Sequence, residues 1–305
     1  VSQSAAAGHL RPRLRLGWLE PYVYLSPALL LLGLVMFVPL VVGLSYAFRN
    51  LQVFDPFDTG WVGLQHFREL IADDSFWQAL LNTVWWTAGS LVLQFLLGFG
   101  LALLLNRPFR GRRAVQAVVF VPWAVPTFLS GLAWAWLFNP VIGPLPHWMV
   151  ALHLEAKPDS ILSDPALAMW GPILANVWFG FPFFAITLLA ALHAVPQELY
   201  EAAAVDGAST WQRFSLLTLP FLAPTIAITV LLRTIWIANF ADLIWVMTAG
   251  GPADSTQTLA TYIFTVAYTK LDFGYASAVA AVLLMLLLLY GVVLLRMRRG
   301  LLVSK

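Results

Sequence analysis

Six apolar runs, each long enough to cross a bilayer, constrain this chain more than any other feature, because inside a membrane such runs can satisfy their backbone only as helices. A hydrocarbon core about 30 Å thick, climbed at about 1.5 Å per residue, requires about 20 mostly apolar residues. Segments 22–48, 79–105, 114–138, 168–193, 220–241 and 276–295 meet that length. No water is present there to pair with free N–H and C=O groups, so each segment must close its own hydrogen bonds. Composition agrees: of 305 residues, 60% are hydrophobic and 10% charged, against about 25% charged in ordinary globular domains. The expected fold is all-α, a polytopic membrane protein with six transmembrane helices.

The placement of basic residues sets the expected orientation, since loops rich in Lys and Arg stay cytoplasmic. Arg11, Arg13 and Arg15, then Arg107, Arg110, Arg112 and Arg113, then Arg213, and finally Arg296, Arg298, Arg299 and Lys305 all fall on one side of the six runs. The other side holds only Arg49, Arg68, Lys157 and Lys270 but most of the acids. Both termini are therefore expected in the cytoplasm, with an N-terminal arm over 1–21, a transmembrane domain over 22–295 and a tail over 296–305. The first apolar run exceeds the about 7–15 residues of a signal-peptide core, and no clear small-x-small site follows it, so a retained helix is expected. The absence of cysteine excludes disulfides and thiolate chemistry, and a net charge of +2 gives no reason to expect nucleic acid.

Taken in order, the outer loop 49–78 carries Asp55-Pro-Phe-Asp58 and an amphipathic piece, Leu64 to Ile71, expected at the membrane interface. The basic loop Asn106 to Arg113 fixes topology and meets anionic lipid head groups. Pro122 and Pro126 in the third run, and Pro172 and Pro182 in the fourth, predict kinked helices. On the fourth, Asn176, Phe179, Gly180 and Phe183 share a face at i, i+3, i+4 and i+7. Two rings, a gap and an amide suit a sugar, whose C–H faces stack on rings; they equally suit helix packing. Arg233 is the single formal charge within the six runs, with Trp236, Ile237 and Phe240 on its face and Asn239 beside them. A mid-span arginine costs at least about 2.5 kcal/mol on insertion scales, so it must face a polar interior or a partner. Both a pore role and a structural role fit.

Between the fourth and fifth runs lies a polar island, 194–219, the loop most able to touch something soluble. Pro196 suits a first helical turn, Glu198 and Glu201 favour its positive end, Ala202 to Ala204 propagate it, and Gly207 can end it in a left-handed conformation. Ser209-Thr-Trp-Gln212 reads as a capping box, so two short helices are predicted, over 196–205 and 210–217.

The order Glu201-Ala202-Ala203, Asp206-Gly207-Ala208 and Leu217-Thr-Leu219-Pro220 resembles the Glu-Ala-Ala loop of membrane subunits of binding-protein-dependent ABC importers. Further residues narrow the resemblance to the carbohydrate uptake class, similar to the larger membrane subunit of maltose transporters. They are Asn176-Val-Trp-Phe-Gly-Phe-Pro182, Arg233-Thr-Ile-Trp236, Asn239, Asp242 to Trp245, Thr248-Ala-Gly-Gly-Pro252 and Phe273-Gly-Tyr275. Two departures stand out. Leu217 replaces a common isoleucine, and the extra N-terminal spans and large outer insertion of the maltose subunit are missing.

The resemblance implies the type I ABC importer permease fold in a bacterial or archaeal cytoplasmic membrane, and a transport subunit rather than an enzyme. It implies a coupling surface of Glu198, Glu201, Ala202, Ala203, Asp206 and Gly207, docked on a separate ATPase. It also implies a sugar pocket from Asn176, Phe179, Gly180, Phe183, Arg233, Trp236, Ile237, Asn239 and Phe240. The implied partners are a second, homologous permease subunit, two copies of the ATPase, an external sugar-binding protein, the sugar and membrane lipid. No cofactor is expected on this chain, because no Gly-x-x-x-x-Gly-Lys phosphate loop is present; ATP and Mg would sit on the ATPase. A glycerol-phosphate or other polyol importer is the alternative. An ion-coupled secondary transporter would be expected to carry intramembrane acids and inverted repeats, neither of which is evident. A membrane enzyme would need ligand-spaced histidines, and His9, His66, His147, His153 and His193 are scattered.

Overall fold

The structure, a computed structural model, describes residues 20–55, 57 and 59–303, with only the backbone of 20 and 297–303. The arginines of the N-terminal arm, Asp58 and Lys305 thus lie outside the described residues, as do the side chains of Arg298 and Arg299. Among the described residues twelve helices follow one another, besides a single 3-10 turn at Ile161–Ser163: α1 Pro21–Tyr46, α2 Gln65–Ile71, α3 Asp74–Leu105, α4 Arg112–Ala124, α5 Thr127–Leu137 and α6 Pro144–Ala151. Then come α7 Trp170–His193, α8 Gln197–Val205, α9 Thr210–Ala238, α10 Asp242–Thr248, α11 Leu259–Thr269 and α12 Phe273–Val303. Five of them (α1, α3, α7, α9, α12) are long and apolar enough to span a bilayer, and α4 with α5 makes a sixth, bent by 95°. The all-α expectation holds among the described residues, where pairing is limited to two isolated bridges, Arg49 with Trp61 and Gln52 with Asp272.

The third apolar run is broken rather than kinked. Pro122 sits inside α4, whereas Val125, the residue before Pro126, is extended at φ −91° and ψ 125°. Clash with the proline ring disfavours the helical region for the preceding residue, so the break falls there. Pro172 lies at the start of α7, where a missing N–H costs nothing, and only Pro182 is interior. The tail predicted from Arg296 is the continuation of α12.

The helices pack around α3 and α7, which run parallel from the acidic end of the bundle to the basic end. Close approach is forced at Gly98, where a Cβ would overlap the Phe181 carbonyl and Phe184, as expected where helices associate through small residues. Three apolar clusters stack along this axis. One near the acidic end joins Leu70, Phe76, Leu259 and Tyr262, a middle one holds Trp86, Ile173, Ile237 and Leu243, and one near the basic end holds Leu105, Phe184, Leu188 and Leu222. By contrast α1 has none of its apolar window buried within this chain.

A polar knot closes the acidic end. Asp73 caps α3 by accepting from Ser75 N at 2.9 Å, and its other oxygen accepts from the Tyr262 and Tyr275 hydroxyls at 2.5 and 2.7 Å. Burial pushes the Asp73 carboxyl up, but the hydrogen bonds from both tyrosines and Ser75 outweigh it and hold the group below its ordinary value. A lowered folded-state value means that the knot stabilises at neutral pH and weakens as pH falls through the usual carboxylate range. Asp73→Ala is expected to cost about 2 kcal/mol, the sum of a lost cap and charged hydrogen bonds. The measurement is thermal unfolding in nanodiscs at pH 7 and at about pH 2.5, below the ordinary carboxylate value, where the cost should shrink. An equal loss at both would contradict the linkage.

Candidate functional site

Two regions gather the residues singled out by the sequence. The first is midway along the bundle, where α3, α7 and α9 meet. Arg233 is 3% exposed, and its Nε donates to Gln94 Oε1 at 2.7 Å. Gln94 Nε2 in turn donates to the Asn176 carbonyl at 2.9 Å, so a single amide ties three helices together. Gly180 makes room for this, since a Cβ there would overlap Arg233 Nη2 and Gln94 Cδ. Among the described residues the one ion pair is His66 with Glu69. The guanidinium is therefore held by an amide and by the face of Trp236, 5.6 Å from the ring centroid, with no carboxylate beside it.

Above this buried cluster lies an aromatic surface. Phe179 stacks on Phe240 at 5.8 Å, Phe183 meets Trp236 edge-on at 6.3 Å, and Trp123 of α4 reaches Phe183 at 6.3 Å. Trp236 is 55% exposed, so the surface is open while the charge beneath it is not. The exposed rings offer a stacking face of the kind small-molecule sites use, and the Arg233 guanidinium beneath them is closed off from solvent.

Not every predicted site residue joins this surface. Asn176 is 0% exposed, and neither of its side-chain polar atoms has a partner among the described residues. Ile237 is also interior, its carbonyl accepting from Trp86 Nε1 at 2.9 Å. Asn239 lies elsewhere: α9 ends at Ala238, so helical spacing no longer governs position 239, and its amide turns back to the Ile235 carbonyl at 2.9 Å. It lines a cavity of about 240 Å³ beside Ala280 and Leu283 instead. Gln94 is the residue that sequence reasoning missed. A neutral amide in an apolar run is weakly marked, although its burial cost is signal enough to ask for a partner.

The second region is the polar island at the basic end. Helix α8 starts one residue after Pro196, which flanks it in an extended conformation. Gly207 has φ +76°, and Ala208 N bonds back to Ala203 O at 2.9 Å, a left-handed C-terminal cap. The Ser209–Gln212 capping box forms with both of its hydrogen bonds. The second short helix does not stand alone, however. After Arg213 the chain widens for one π-turn, Phe214–Thr218, and runs straight into the span, making α9 continuous from Thr210.

One face of α8 is anchored and the other is bare. Tyr200 packs against the apolar cluster near the basic end and pairs its hydroxyl with Thr218 at 2.8 Å. Glu198, Glu201, Ala202 and Asp206 are exposed, and Val205 is 88% exposed. Small side chains between two carboxylates leave a shallow, negatively charged surface that a partner's backbone can approach closely.

The family described as "Binding-protein-dependent transport system inner membrane component" matches residues 94–299. The trehalose/maltose transport system permease protein MalF of Thermococcus litoralis is 34% identical over 278 residues, covering 91% of this chain and 93% of that one. The inner membrane ABC transporter permease protein YcjO of Escherichia coli K12 is 32% identical over 277 residues, with 90% and 92% covered. Among solved structures, a bacterial ABC transporter involved in the import of the acidic polysaccharide alginate superposes with a TM-score of 0.80 and 26% identity over 93% of this chain and 96% of that chain. The MetNI methionine transporter, at a TM-score of 0.54 and 18% identity, shares the fold alone. With five span-length apolar helices and a bent apolar pair, a capped and bare-faced α8 and a match spanning Gln94 to Arg299, the chain belongs to the family of binding-protein-dependent transport system inner membrane components.

Proposed function

We propose that this chain is the pore-forming subunit of an ATP-driven importer of a di- or oligosaccharide, delivered from outside by a solute-binding protein. The observation that carries this reading is the aromatic surface of Phe179, Phe183, Trp236 and Phe240 laid over the Arg233–Gln94 cluster at mid-span. Sugars are recognised by rings against C–H faces and by polar groups against hydroxyls; the rings are exposed here, with the Arg233–Gln94 cluster buried directly beneath them. In this reading the basic end is cytoplasmic, α8 docks on a separate ATPase that holds ATP and Mg, and a second permease subunit completes the pore. Asn176, Gly180 and Ile237 support the pocket from beneath, and Asn239 stands apart from it, exposed at the end of α9.

The test is uptake of labelled sugars by the complex in proteoliposomes, with trehalose, maltose and longer glucans in the panel. Trp236→Ala is expected to raise the KM for uptake by up to about tenfold, since ring stacking contributes about 0.5–1.5 kcal/mol, while kcat falls less. An unchanged KM would return Trp236 to a packing role. A second reading, an anionic sugar or phosphorylated polyol, is favoured by the Arg233 guanidinium having no carboxylate within 4.0 Å among the described residues. Competition of trehalose uptake by a uronate oligosaccharide or glycerol phosphate separates the two.

A further inference from the structure

We propose that Arg112 and His193 form the contact through which motion of α8 reaches the bent span α4–α5, both being positioning residues that touch no substrate. This rests on the reading of α8 as the ATPase-docking helix. Arg112 is the first residue of α4 and His193 the last of α7, and Arg112 Nη2 lies 2.7 Å from His193 Nε2. Arginine can only donate, so His193 accepts as a neutral ring with its proton on Nδ1. Among the described residues this is the one side-chain hydrogen bond that α4 makes.

His193 is separated from the start of α8 only by Ala194, Val195 and Pro196, and Val195 is buried in the cluster that also anchors Tyr200. A push on α8 is therefore delivered to the end of α7 without a flexible linker between. On the other side, α4 is held loosely: most of its residues are exposed, and Val119 and Pro122 are the buried ones. Beside the contact that Val119 makes with the cluster on α7 lies a cavity of about 260 Å³, walled by Gln116, Phe120, Ile186 and Ala190, which gives α4 space to tilt. At its far end α4 carries Trp123 against Phe183 of the aromatic surface. One line of contacts thus runs from α8 through His193 and Arg112 along α4 to the substrate face.

The chemistry of the pair suits a contact that is remade in each cycle. A carboxylate would hold arginine with two charged hydrogen bonds, whereas imidazole offers one neutral acceptor. Arg112 Nε is buried without any partner, so the guanidinium is under-satisfied where it stands. It gains by re-pairing when α4 moves.

The chain has no cysteine, so an Arg112→Cys/His193→Cys double variant, assembled with cysteine-free partner subunits, carries a single reactive pair. Bridging that pair with a short bifunctional methanethiosulfonate is expected to lower MgATP turnover of the complete complex, with or without trehalose, about tenfold, equivalent to about 1.4 kcal/mol. Reduction should restore it. His193→Gln, which keeps an acceptor, should hold sugar transported per ATP within about twofold of the parent, and His193→Ala should lose about tenfold, on the same conversion. Turnover that continues at the unbridged rate overturns the proposal, as does equal coupling in the Gln and Ala variants. If α8 does not dock an ATPase at all, Glu201→Lys will also leave turnover unchanged, which identifies failure of the underlying reading instead.

Discussion

Glu201→Lys is expected to abolish sugar-stimulated ATP turnover in the reconstituted complex while leaving the subunit inserted and folded. The side chain is exposed and belongs to no ion pair among the described residues, so nothing inside this chain depends on its charge. Its cost falls entirely on the partner. Truncating one member of a desolvated interfacial charge pair costs about 2–5 kcal/mol, and reversing the sign adds repulsion. Stimulated turnover should therefore drop by more than about a hundredfold, the equivalent of about 3 kcal/mol. Glu201→Gln, which keeps an acceptor, should lose less. Measured turnover within twofold of wild type for the Lys variant would remove α8 from the coupling pathway.

Gly180→Val is expected to have a comparable effect at the other site by a different route. Its Cβ would occupy the space of Arg233 Nη2 and the Gln94 amide, and Gln94 is fully buried between α3 and α7. Either α7 is pushed away from α3, at about 1–3 kcal/mol for overpacking, or the guanidinium loses its partner, and a buried charge left alone costs about 3–5 kcal/mol. Uptake should fall to about 1% of wild type, on the scale of that second cost, with basal ATP turnover retained because α8 is untouched. Gln94→Glu keeps the Arg233 anchor and supplies a counter-charge, so it should preserve assembly but slow release of the site. Normal uptake by Gly180→Val would show that the cluster is not next to the cargo.

Much of this arrangement is legible in the chain because long apolar runs and caps are local signals. The spans, the Gly207 stop and the Ser209–Gln212 box each depend on residues within a few positions of one another. What was not legible depends on distance. Gln94 and Arg233 lie 139 positions apart, and no periodicity within either run announces that they meet. Asn176 shares a helical spacing with Phe179 and Gly180, yet its side chain is buried in an interior that only the α3–α7 contact creates. The merging of the second short helix of the polar island into α9 runs through a π-turn at Phe214–Thr218, and Pro220 reads in the sequence as a separate helix start.

The 95° bend at Val125 and Pro126 makes α4 a lever arm with its fulcrum beside the aromatic surface. Its 13 residues amount to an arm of about 20 Å at a rise of 1.5 Å per residue. A rotation of about 10° about that fulcrum carries the Arg112 end through about 3 Å, on that arm length, as far as a hydrogen bond is long. The same rotation reaches Trp123, beside the fulcrum, as a change of ring angle against Phe183 with little translation. A contact at the tip is thereby broken outright by a movement that the packed centre of the bundle absorbs as a change of tilt.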